Sequence, residues 1–329
     1  MLRRVSRESA RSWFRLVLLP LVAASLGCGA SSGGVGTNPI DGGRSTPEAS
    51  SDGANDAGSR DARGEASEES SGPSCLLKPV CTGSSKADQT CVGNVDAQLV
   101  DPSAAPAVGV TVTICGTDLC SEPVKSDTSG KVSFSLCIFM TSPSFRVLDD
   151  PTWAPFAVRL PASTPSASLG RVTVTPLPAA GSTFPSSASG GSVSSNGVTL
   201  QIAAAGSVTF DDEHQALGPG AREFRAVEVS ALPPDLAGAT VTDAWGLAPE
   251  NTLLAPGATL TVPNAKGWSP LAQVNFYLDG TDEGKTAVAP WGEWGAIGVG
   301  TVSADGSVIT LTAASGGLLE MGLIGLELE

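Results

Sequence analysis

Along most of the chain, apolar residues alternate with polar ones. Val95, Ala97 and Leu99 take every second position, as do Val108, Val110, Val112 and Ile114, and then Val132, Phe134 and Leu136. A period of two sustained over a few residues marks a half-buried β-strand. Asp101-Pro102-Ser103 and Asp127-Thr128-Ser129-Gly130 punctuate these runs with turn chemistry. A further strand pair is predicted around 156–160 and 169–174. The same texture returns at Val198, Leu200 and Ile202, at Val227 and Val229, at Leu260 and Val262, at Val274, Phe276 and Leu278, and over 308–312. Pro233-Pro234, Pro249, Pro256, Pro263-Asn264, Asp279-Gly280 and Asp305-Gly306 separate these later runs. No segment beyond the N-terminal region shows a convincing period of 3.6, so the pattern predicts an all-β protein.

Two β-sandwich domains are expected, over 75–178 and 197–329, joined by a Ser/Gly-rich linker at 179–196. Residues 28–74 have a different texture. After Cys28 this stretch is dominated by Gly, Ser, Ala, Asp and Glu, and it contains no aromatic residue. It cannot bury enough apolar surface to offset chain entropy, and it reads as a disordered tether.

The first 27 residues read as an export signal. Arg3, Arg4, Arg7, Arg11 and Arg15 face a single acid, Glu8, and an apolar run follows over 16–26, broken only by Pro20. That run would span about 16 Å as a helix, against roughly 30 Å of hydrocarbon core, so it is a signal and not a membrane span. Its end, Ser25-Leu26-Gly27-Cys28, resembles a bacterial lipobox. The resemblance implies cleavage after residue 27, acyl chains on Cys28 and a membrane anchor through that lipid. Ser25 stands where the lipobox usually has Leu. Gly29 follows the cysteine in place of the Asp associated with inner-membrane retention, which implies the outer membrane. The alternative is a secretory signal that merely ends near a cysteine.

Composition narrows the chemistry. The chain has 329 residues, a net charge of −14, seven cysteines and one histidine. Such acidity disfavours a nucleic-acid partner, which needs a basic face. A single histidine excludes multi-histidine metal sites and leaves a catalytic triad one candidate base. No cofactor is expected. With Cys28 assigned to lipid, Cys75, Cys81, Cys91, Cys115, Cys120 and Cys137 remain, an even number in an exported chain. They read as a three-disulfide framework whose fifteen pairings the sequence leaves open. A zinc site is the competing reading; irregular spacing and the lack of a nearby histidine weigh against it.

Gly93-Asn94-Val95, Ala107-Val108-Gly109-Val110-Thr111-Val112 and Ser126-Asp127-Thr128-Ser129-Gly130-Lys131-Val132-Ser133-Phe134 together resemble the carboxypeptidase regulatory-like domain. That family is a transthyretin-like β-sandwich, and the resemblance covers about 91–175. It implies a fold-stabilising or ligand-holding module of the kind attached to enzymes. Leu247-Ala248-Pro249, Leu253-Leu254-Ala255-Pro256 and Thr259-Leu260-Thr261-Val262-Pro263 are more weakly similar to the zona-occludens/netrin-receptor β module. Ala203-Ala204-Ala205 stands where that module has an early proline segment, and the His-Phe-Ser triplet of its self-cleaving members is missing, so autoproteolysis is not implied.

Three places can carry chemistry. Asp211-Asp212-Glu213-His214 is where carboxylates meet the histidine; adjacent residues rarely converge on one ion or substrate, so it reads as a solvated loop. Asp279-Gly280-Thr281-Asp282-Glu283-Gly284 reads as a hairpin turn; as a calcium loop it lacks alternating ligands. Trp245, Trp268, Trp291 and Trp294, with Tyr277, either fill a core or form a stacking platform for sugars. No phosphate loop, dinucleotide fingerprint, nucleophile elbow or zinc-protease motif is present. The expectation is a non-catalytic outer-membrane lipoprotein that binds or scaffolds, its partner an envelope protein or a glycan. The alternatives are a carbohydrate-binding module using the C-terminal tryptophans and an envelope hydrolase using carboxylates near His214.

Overall fold

The computed structural model describes residues 88–148, 151–161, 166–232, 240–280 and 288–329. The export signal over 1–27, Cys28 and the tether over 28–74 lie outside these residues. So do Cys75, Cys81, Pro233-Pro234 and the stretch 281–287.

The chain folds as the alternation predicts, into an all-β protein. Its first block runs through β1 (Gln89–Val100), β2 (Thr111–Cys115), β3 (Val124–Lys125), β4 (Lys131–Thr141), β5 (Ser144–Val147), β6 (Phe156–Arg159) and β7 (Ser166–Thr173). The second continues with β8 (Gly191–Ser195), β9 (Val198–Ile202), β10 (Ser207–Thr209), the helix α1 (Asp212–Leu217), β11 (Arg225–Glu228) and β12 (Asp243–Ala248). It ends with β13 (Leu253–Pro263), β14 (Gln273–Asp279), β15 (Trp294–Val302), β16 (Val308–Leu311), β17 (Leu318–Glu320) and β18 (Leu323–Leu328).

The first block builds two sheets, ordered β4-β1-β7 and β3-β2-β5-β6. In β1, Val95, Ala97 and Leu99 are buried while Asp96 and Gln98 face water, which is the period of two realised. Phe134 of the first sheet meets Phe145 of the second edge to face, ring centroids 6.4 Å apart. Val112, Ile114, Val147 and Val158 complete the apolar cluster between them. The turn into β4 is set by Asp127, whose Oδ1 accepts from the backbone N–H groups of Ser129 (2.8 Å) and Lys131 (2.9 Å). Gly130 has φ +77° there, and a Cβ would collide with the backbone of Leu99, so glycine is required.

The strand around Val108 begins later than the alternation suggests. Val108 is 52% exposed, because Gly109 takes φ +76° and breaks the extended run before Thr111.

The second block forms one large sheet, ordered β11-β12-β18-β14-β15-β16-β13-β9-β8, with β10 and β17 also pairing along β13. Its two ends nearly close: Asn196 Nδ2 donates to the Ala226 carbonyl at 2.9 Å, and Ser195 Oγ accepts from the Ala226 N–H at 3.1 Å. Leu200, Phe224, Leu247, Leu260, Phe276 and Ile309 are among its fully buried side chains. The structure places a strand, β8, inside the span expected as linker. Val193 is its only large apolar residue, so the alternation is faint. Asn196-Gly197, with φ +47° and +81°, supplies the tight turn that pairs β8 with β9.

Strands of the second block also complete the first block's core. Ala244, Ala248, Trp294 and Leu323 join its apolar cluster. Polar contacts follow the same seam. Ala157 N–H donates to Asp279 Oδ2 at 2.6 Å, and Arg159 pairs with Glu293.

Candidate functional site

A cleft of about 930 Å³ opens along this seam, walled by β2 and β5 on one side and by α1, Glu250 and Trp291 on the other. Ligand sites favour such a setting, where two packed units meet and a few polar groups converge.

Arg146 dominates the first wall. It sits on β5 between Phe145 and Val147, whose side chains point into the sandwich core, so its own points to the opposite face. In a free-standing sandwich that face would be wet. Here the second block covers it, and Arg146 is only 5% exposed. Its Nη2 donates to Glu250 Oε1 at 2.8 Å, its Nη1 lies 3.9 Å from Cys115 Sγ, and its guanidinium carbon stacks 3.8 Å from the centroid of the Trp291 ring. A desolvated cation–π contact of this kind contributes up to about 2 kcal/mol.

Trp291 lies in the connection between β14 and β15, and Asp279 fixes that connection. Asp279 accepts from the Gly292 N–H at 3.0 Å through one oxygen and from Ala157 through the other. Gly292 has φ +79°, and a Cβ would collide with the backbone of Arg159, so the connection packs directly on β6. Burial raises the Asp279 carboxyl to about 7; the two backbone donors oppose the rise, the Glu250 charge adds to it and the Arg146 charge subtracts.

His214 and Asp211 stand on the opposite wall. Asp211 caps α1: its Oδ1 accepts from the His214 backbone N–H at 2.8 Å, and His214 Nδ1 lies 2.6 Å from the same oxygen. Against an ionised carboxylate, Nδ1 carries the proton and donates it. His214 is 4% exposed. This corrects the expectation of a solvated loop. The six-residue helix is too short to print a period of 3.6, and its cap turns the imidazole inward. An imidazole fixed by a carboxylate in this way is a group that acid–base chemistry can use.

The Cys115–Cys120 disulfide forms part of the cleft wall, bridging residues five apart in sequence. Cys91 is also disulfide-bonded, and Cys137 sits half-buried on β4 near Cys91 in the β1–β4 pair. The tryptophans do not form one surface. Trp245 and Trp294 are buried, Trp268 packs half-buried against the second cluster, and Trp291 reaches the cleft. Tyr277 donates to Glu327 Oε2 at 2.7 Å. Asp279 ends β14 and Gly280 follows it in the β14–β15 connection; Thr281, Asp282, Glu283 and Gly284 lie outside the described residues. Among the described residues, no three His, Cys, Asp or Glu side chains are grouped to hold a metal ion.

The residues that sequence reasoning missed are Arg146 and Glu250. A signal existed in Phe145-Arg146-Val147, an arginine in strand register between two core residues. Its partner is 104 positions away, and no local pattern connects them.

No protein-family profile matches the chain, and no curated protein matches it in sequence. Among solved structures, the full-length major pilin SpaD from Corynebacterium diphtheriae aligns over 71% of this chain and 55% of its own, at 14% identity and TM-score 0.21. The Bacillus anthracis TIE protein aligns over 73% of this chain and 45% of its own, at 9% identity and TM-score 0.21. The chain thus spans about half the length of these two proteins. Likenesses this remote do not bear on function.

Proposed function

We propose that this chain is an exported, lipid-anchored protein of the bacterial outer membrane whose folded part is a non-catalytic binding module, with the seam cleft as its ligand site. The observation that carries the reading is the cleft itself: about 930 Å³, set between two β blocks, with Arg146 already held by Glu250 and His214 by Asp211. Groups fixed before a ligand arrives spare it the cost of ordering them. The Cys115–Cys120 bond agrees with an oxidising compartment outside the cytoplasm. The anchor rests on the Gly27-Cys28 junction and its preceding apolar run. The resemblance of the first block to a carboxypeptidase regulatory-like sandwich fits a ligand-holding role.

One observation favours a second reading. The His214–Asp211 pair at 2.6 Å matches the base and orienting acid of a hydrolase. A single experiment separates the two. The mature, acylated chain, in detergent, is screened against envelope proteins and glycans for binding, and against ester, peptide and glycoside substrates for turnover. Binding without turnover supports the module. Turnover abolished by His214→Ala establishes the enzyme instead.

A further inference from the structure

We infer that the seam cleft takes a neutral saccharide, with Arg146 and Trp291 donating hydrogen bonds to its hydroxyl oxygens. This rests on reading the cleft as a ligand site and names what enters it.

Hydrogen-bond capacity points the same way at two positions. A guanidinium has five N–H donors. Arg146 gives one to Glu250 and turns another toward a disulfide sulfur, a weak acceptor, while its Nε is buried with no partner. Trp291 Nε1 is likewise buried and unpartnered. Both side chains line the cleft. Among the described residues lining it, no buried acceptor is left without a partner. The unmet buried groups of the wall are therefore donors. Buried N–H groups cost free energy until an oxygen meets them, and a small rotation of either side chain toward the cleft would present them to one.

Charge then chooses among oxygen-bearing ligands. Three groups able to carry positive charge line the cleft, Lys125, Arg146 and His214, and three carboxylates face them, Glu122, Asp211 and Glu250. With the histidine counted as neutral, two cations face three carboxylates, and the whole chain carries −14 on the same count. An anionic ligand gains nothing from such walls and is repelled by the rest of the molecule. A hydroxyl fits because it both accepts and donates: it can accept from Arg146 and Trp291 and donate to the neighbouring carboxylates. The exposed Leu217 at the rim, with Leu148 and the Trp291 ring, offers apolar surface for the C–H faces of a sugar ring.

The test uses the mature full chain in a polyoxyethylene detergent, since sugar-based detergents would compete. Calorimetric titration covers neutral hexasaccharides (cellohexaose, maltohexaose and hexa-N-acetylchitohexaose), the acidic oligogalacturonate and an acetylated, amidated hexapeptide pool. At least one neutral hexasaccharide is expected to bind with a Kd below about 1 mM. Trp291→Phe, which keeps an aromatic ring of smaller area and removes the N–H donor, should weaken it at least tenfold. Arg146→Lys, which keeps the charge and removes the fork, should do the same, with circular dichroism confirming the fold of each variant. Absence of binding by all three neutral sugars overturns the inference, as does binding that neither substitution changes. Oligogalacturonate or peptide binding lost in both variants also overturns it, while leaving the cleft as the ligand site.

Discussion

Arg146 and Glu250, 104 residues apart in sequence, meet at 2.8 Å with both side chains almost entirely shielded from water. The pair joins the first sandwich to the second block, and both residues line the cleft between them. Removing one partner of a buried ion pair strands a charge and typically costs about 3–5 kcal/mol. Arg146→Met and Glu250→Met should each fall in that range by urea denaturation. The double variant, with no stranded charge, should lose less than either single one. An additive double variant would show that the two groups do not act as a pair.

Asp279 gives the seam a pH dependence whose sign follows from its environment. Its folded-state carboxyl is raised to about 7, above an unfolded value near 4, so the folded state holds a proton over that window that the unfolded state has released. Stability from this group is therefore greatest below pH 4 and falls as pH rises to about 7. Asp279→Asn keeps an oxygen for one of the two backbone donors and has no charge to bury. It should flatten the decline between pH 4 and 7, measured as Tm against pH. An unchanged profile would place the raised carboxyl elsewhere.

The disulfide is expected to act locally. Closing a loop between residues five apart removes about 2 kcal/mol of unfolded-state entropy in the chain-entropy estimate. Paired Cys115→Ser and Cys120→Ser substitutions should destabilise the chain by about that amount and loosen the wall beside Arg146. Hydrogen exchange should rise in β2 and β5 and stay unchanged in β14 and β18. Uniform loosening would contradict a local role.

The fold was more legible than the site. Strands such as β1 announce themselves, because Val95, Ala97 and Leu99 must face one side and Asp96 and Gln98 the other. β8 is muted, since Gly, Ser and a lone valine carry little pattern, although Asn196-Gly197 marks its turn. The site resisted for a different reason. Arg146 is buried only because the second block covers the outer face of β5, and His214 is buried only because Asp211 starts a helix too short to show periodicity. Both depend on tertiary packing, which no local window contains. The proposed N-terminal signal, by contrast, is read from local sequence alone.

That signal makes its own prediction. Mass spectrometry of the mature N-terminal peptide should find acyl chains on Cys28, and Cys28→Ser should release the protein from membranes. A mature chain starting elsewhere, without lipid, would remove the anchor from the account.

The cleft can be watched through one atom group, because His214 is the chain's only histidine and its ring lines that cleft. A ¹⁵N-histidine-labelled sample of the untagged chain gives a single imidazole signature by long-range ¹H–¹⁵N correlation. Titrated with whichever neutral hexasaccharide binds by calorimetry, that signature should shift and saturate with the same Kd, and the ligand should be recovered intact. Binding at the calorimetric Kd with the imidazole resonances unmoved would place the ligand elsewhere on the molecule, and recovery of cleaved ligand would show that the cleft is catalytic.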